Sequence, residues 1–378
     1  MKPRDRRRPP RPIYAAAGLS LVYLLSVRFL PFFPRPVRAE MAAAARLMAA
    51  ATAAVKDCRA AKNIPLDRAA DPNATGLIGL ESSAITTSLG GLEAKRTTTN
   101  PNFAALVASL LHDAGVRRGD AVAVGASSSF PALIIAALSA VEAAGAESLV
   151  ISSLGSSEWG ANVPEFTWLE MEECLRDGGL IRFAPIARTV GGEEDVGQDM
   201  DPFGRSLLAS RIRAGDAFFL EVPDLERNVA LRMETYRKSA GARPIKAFIN
   251  IGGSWANIGT NAEVLKLRPG LARRVFIPPP AERGVLQAMA ARRVPVIHLL
   301  NIRGLCDRYG LPWDPRPLPS PGEGRFFRQA GARTLPGAVL TAVYILAMLL
   351  TLLPGCRQGA ESPERPAKAV WSGSGPRF

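Results

Sequence analysis

Residues 115–155, GVRRGDAVAVGASSSFPALIIAALSAVEAAGAESLVISSLG, decide the fold. A turn at Arg118, Gly119 and Asp120 leads into the apolar run 121–124. A Gly/Ser turn follows, then a helix over about 130–144 ended by Gly145, then a second apolar run, 148–151. Short apolar runs without alternation suit strands covered on both faces, and a helix between two of them is the crossover that parallel pairing requires. The unit predicts strand, helix, strand. Outward from it the same cues recur: a strand at 217–222 before a helix at 225–239, a strand at 245–251 ending in glycines, and a helix at 284–292 before a strand at 294–300. The expected fold class is therefore α/β, a mostly parallel sheet with flanking helices.

The chain has 378 residues and a formal charge of +13, with 47% apolar and 21% charged residues, a globular composition. Most of the excess charge is terminal. Six basic residues (Lys2, Arg4, Arg6, Arg7, Arg8, Arg11) precede an apolar stretch, and a second, uncharged stretch follows at 335–353. Each is about the length of one membrane crossing, and the basic start favours an inside N-terminus. The expected organisation is a basic cytoplasmic start (1–12), a signal-anchor transmembrane helix (13–33), an extracytoplasmic domain (40–334), a second transmembrane helix (335–353) and a disordered tail (354–378). Both termini would be cytoplasmic and the bilayer itself a partner. A cleavable signal peptide fits the first stretch as well. The Ala-rich segment 40–62 reads as a helix that lifts the domain off the bilayer.

Cys58, Cys174, Cys306 and Cys356 are far apart, and there are two histidines, so no metal site is expected. The first three cysteines read as free or buried thiols, with one disulfide among them open in an extracytoplasmic domain. No cofactor is expected: there is neither a dinucleotide fingerprint nor a P-loop. Nucleic acid is an unsuited partner, because no aromatic and basic module accompanies the charge.

Three strand ends carry Gly/Ser/Asn loops where open α/β sheets bind ligands. The first, 125–131, holds Ser127, Ser128 and Ser129. It reads as a serine-capped helix start, an anion site, or a distant relative of the GxSxG nucleophile elbow with Ser127 central. As a nucleophile Ser127 needs a base, and His298, at the end of the run 294–297, is the candidate; it is equally readable as a core histidine. The second loop holds Ser156 and Asn162, and the third, after 245–251, holds Ser254 and Asn257. Lys95 and Arg96, followed by three threonines, could bind carboxylates or form part of a solvated loop.

Five of these segments carry a resemblance: GLIGLESSAITTSLGGLEAKRTTTNPNFAALV, AVGASSSFPAL, ISSLGSSEWGANVPEFTWLEME, FINIGGSWANIG and HLLNIRGLCDRYGLPWDP. Together they resemble the bacterial poly-gamma-glutamate system protein family, found with capsule-type synthesis and export components, over about residues 74–320. The resemblance implies a membrane accessory component that binds or handles poly-γ-glutamate beside other subunits of that system; it carries no catalytic residues. The alternative is an extracytoplasmic serine-dependent hydrolase or transferase acting on γ-glutamyl amide bonds.

Overall fold

In the computed structural model, residues 11–29, 35–329 and 335–357 are described, with side chains over 12–27, 39–327 and 337–352. The basic start and most of the tail therefore lie outside the described residues. The chain forms two compact units, 33–330 and a smaller one drawn from its two ends. Helix α1 (Arg11–Phe29) belongs to the smaller unit.

In the large unit, α2 (Arg35–Ala61), α3 (Leu92–Thr98) and α4 (Asn102–Ala114) precede the predicted core, β1 (Ala121–Ser127), α5 (Pro131–Ala143) and β2 (Glu147–Ser153). A short antiparallel pair, β3 (Asn162–Val163) and β4 (Phe166–Thr167), leads to α6 (Trp168–Asp177), β5 (Ala184–Thr189), α7 (Pro202–Ala214) and β6 (Phe218–Phe219). Then come α8 (Leu225–Ala240), β7 (Ile245–Ile251), α9 (Trp255–Ile258), β8 (Gly270–Ala272), α10 (Val285–Ala291), β9 (Val296–Leu299), α11 (Ile302–Tyr309) and α12 (Arg325–Gln329). The main sheet runs β6-β5-β2-β1-β7-β9-β8. Every pairing in it is parallel except β8 with β9.

Alternation along the strands divides the core in two. Val122, Val124, Ile249, Ile251, Ile297 and Leu299 face α2, α4 and α5. Ala121, Ala123, Leu149, Ile151, Phe248 and Val296 face α8 and α10. Residues 131–141 of α5 are buried on every side, the signature of a helix sandwiched between a sheet and other helices.

Two expectations change here. The Ala-rich helix is not a stalk: in α2, Met41, Ala44, Ala45, Met48, Ala51 and Val55 form a fully buried stripe of helical period that packs on α4 and α5. Its small side chains let three helices approach closely. Cys58 and Cys174 are not free thiols but form a disulfide joining α2 to α6, while Cys306 is free and buried.

The smaller unit pairs α1 with α13 (Leu335–Arg357). Ser20 bonds Tyr344 at 2.9 Å, Tyr23 bonds Thr341 at 3.0 Å, and the two tyrosine rings stack. Leu21, Leu24, Val343, Leu346 and Leu350 are exposed. Among the described residues no helix is long and apolar enough to cross a membrane.

Candidate functional site

The chain leaves β1 through α5 toward β2 on one side of the sheet, and re-enters beside β1 at β7 from α8 on the other face. Strand order reverses there, so the loops beyond the carboxyl ends of β1 and β7 part and leave a crevice. A cavity of about 440 Å³ occupies it, of a size usual for small-ligand sites. Its wall combines Ser127, Ser129 and Phe130 after β1, Ser153 and Ser157 after β2, and Gly253, Ser254 and Trp255 after β7. The segment 87–91, Lys95 of α3, and Gly192, Glu193 and Asp199 after β5 complete it.

Lys95 is the deepest charged group. It is only 3% exposed, with Nζ 2.6 Å from Ser157 Oγ and donating to the Ser129 carbonyl; the Phe130 ring centroid is 4.0 Å away. No carboxylate pairs with it among the described residues. Burial pushes its amine down to about 7, against the opposing field of Glu158, because a charge removed from water without a counter-ion is costly. The aromatic face holds the ammonium form in part. Ser129 ties the arrangement together: its carbonyl takes Lys95, and its Oγ accepts from the Ser157 backbone N–H at 3.0 Å. Gly90 lies over this group, and a Cβ there would come within 2.5 Å of the Glu158 carbonyl and 3.2 Å of both Ser157 Oγ and Lys95 Cε, so only glycine fits.

The acidic rim is set from the opposite face of the sheet. Asp195 accepts from Thr189 Oγ1, Asn228 Nδ2 and Arg232, all buried, with Arg232 at 2.6 Å. This knot ties the loop after β5 to α8 while Glu193 and Asp199 stay exposed.

The sequence candidates separate into three groups. Lys95, Ser127, Ser129 and Ser254 line the cavity, and Ser254 Oγ is buried without a partner among the described residues. Ser128, Ser156 and Asn162 are spent on structure: Ser128 Oγ donates to Ser153 O, Ser156 Oγ donates to Ser128 O and Ser157 O, and Asn162 bridges Leu80 and Thr86. Asn257 is buried against β1 at Gly125, where a Cβ would stand 2.6 Å from its Nδ2; it too is off the cavity wall. Arg96 is not in a solvated loop and does not await a ligand. It is buried on α3 and grips Asp314 with two bonds, 2.8 and 2.7 Å.

Ser127 and His298 are not brought together. His298 is level with Asn250 on β7 and Gly125 on β1, two strands across from β1, a lateral offset of about 9–10 Å. Its Nδ1 bonds Asn250 Nδ2 at 3.0 Å, and burial pushes the ring down to about 4. It is a core histidine, absent from the cavity wall.

Ser157 and 87–91 lie in polar segments that the sequence marks, but neither is among its candidate site residues, and the loop after β5 carries no signal in the sequence. Ser157 adjoins the candidate Ser156, and only the fold decides which of the two hydroxyls faces the crevice. Compared with family models, curated proteins and solved structures, the chain has no match.

Proposed function

We propose that the chain is a membrane-anchored accessory component of the poly-γ-glutamate synthesis and export system, working beside its other subunits. Its α/β unit would lie outside the cytoplasm, with the cavity receiving a short stretch of polymer. The observation that carries the reading is Lys95, a buried cation without a carboxylate of its own, at the base of a serine-lined crevice. A ligand carboxylate supplies the missing counter-ion, and Ser254 Oγ supplies a donor that has no acceptor among the described residues. Glu193 and Asp199 at the solvated rim oppose a long polyanion, which restricts entry to a short stretch.

Two observations support the placement. The Cys58–Cys174 disulfide suits an oxidising compartment. In the terminal pair, hydroxyls join the helices while leucines and valines face outward, an arrangement suited to lipid. The family resemblance supplies the polymer's identity.

The test is retention of the full chain, in detergent, on immobilised poly-γ-glutamate. Retention should be salt-sensitive, weaken as pH rises through about 7 while Lys95 loses its proton, and fall at least tenfold in Lys95→Met. Equal retention by wild type and Lys95→Met would sink the reading.

A further inference from the structure

The contact between Ser157 and Lys95 has the form of an activated nucleophile. The hydroxyl lines the cavity, the amine lies 2.6 Å from it, and the same third residue, Ser129, orients both: one by its backbone N–H, the other by its Nζ. A nucleophile within hydrogen-bond reach of a base that is itself held in place is the arrangement on which serine acyl transfer depends, and lysine is a known substitute for histidine in it. In the structure Lys95 Nζ donates to both the Ser129 carbonyl and Ser157 Oγ; once neutral, the amine can keep the first bond and turn its lone pair to the Ser157 hydroxyl. Gly90 leaves the approach to this pair open where any side chain would close it.

We propose that Ser157 is a nucleophile and Lys95 its general base in a site that cleaves or transfers amide-linked acyl groups, with the γ-glutamyl amide as substrate resting on the polymer reading above. Lys95 takes the hydroxyl proton as Ser157 Oγ bonds to the amide carbonyl carbon. The carbon–nitrogen bond then breaks, and the Lys95 ammonium returns the proton to the departing amine. Water, or the amine of a second chain, opens the resulting serine ester: Lys95 accepts the proton of the incoming group and passes it to the departing Ser157 Oγ, which restores the hydroxyl and the neutral amine. Hydrolysis consumes one water and transfer none.

The charged groups facing Lys95 are Glu158 from the segment after β2, and Glu193 and Asp199 across the cavity from the loop after β5; Phe130 presents its ring from the start of α5. Burial disfavours the ammonium, and the Glu158 charge opposes that effect. With the amine near half-titration at neutral pH, its two forms have separate uses: the ammonium holds a carboxylate, and the amine takes a proton.

The decisive measurement is labelling of the full chain, in detergent, by a fluorophosphonate, which phosphonylates an activated serine with loss of fluoride. The expected result is modification mapped to Ser157, absent in Ser157→Ala, at least 100-fold slower in Lys95→Met and not restored in Lys95→Arg. The labelling rate should rise with pH through a midpoint near 7, as polymer retention falls through the same midpoint. If Lys95→Met does not fold, this opposed pH dependence in the wild-type chain carries the test. Absence of labelling, labelling elsewhere, or a rate flat from pH 5 to 9 overturns the dyad, whatever the polymer does. Labelling at Ser157 without polymer retention or shortening upholds the dyad and overturns the polymer as its substrate.

Discussion

Lys95 and Arg96 are adjacent, both basic and both buried, and they solve burial in opposite ways. Arg96 cannot lose its proton, and its planar fork takes the Asp314 carboxylate with two bonds. Lys95 has no such acid and can neutralise, so it remains available to a ligand. His298 pays for burial as Lys95 does, but without facing the cavity. With its ring near 4 in the fold and 6.5 in water, it contributes stability that is fully present above pH 6.5 and lost as pH falls through 4. That shift corresponds to about 3 kcal/mol, and His298→Gln should flatten the stability curve between pH 6.5 and 4 in urea titrations. A slope unchanged by the substitution would refute this role. The serine-rich loops were legible in sequence as site material, because they follow strand ends where open α/β sheets bind ligands. Which serine faces the cavity was not: Ser156 and Ser157 differ only by the alternation that the fold imposes.

At the scale of elements, the strand, helix, strand order of 115–155 and the helix ends were legible in the sequence, while both strands run to seven residues where the apolar runs mark four. The strand β1 is longer than expected, Ala121–Ser127, because the Asn257 side chain packs on Gly125 and the Gly/Ser stretch stays paired to β2. The strand β5 escaped notice because it carries Arg188, a charge that the fold buries against Glu172 at 3.4 Å. The helix α2 was recognised but misplaced: an Ala-rich surface suits solvent and close packing equally well. Its disulfide to α6 closes a span of 116 residues, for which chain entropy predicts about 5 kcal/mol of stabilisation. Cys58→Ala with Cys174→Ala should therefore lower the unfolding free energy from denaturant titration by about 5 kcal/mol, and reductant should do the same to the wild type but not to the double variant.

For the whole molecule, the net charge of +13 is largely a matter of the ends. On the proposed two-pass arrangement those charges orient the chain, and reporter fusions near residue 200 and at the C-terminus should fall on opposite sides of the membrane. Fusions reporting the same side would rule the arrangement out. The sheet itself closes with β6 at one border and β8 at the other, two and three residues long. A seven-stranded sheet would otherwise offer long rows of unpaired amides and carbonyls to any neighbouring chain. Here a newcomer would gain only a few backbone bonds at either border, too few to hold it. Growth of the sheet from copy to copy through these borders is thereby disfavoured.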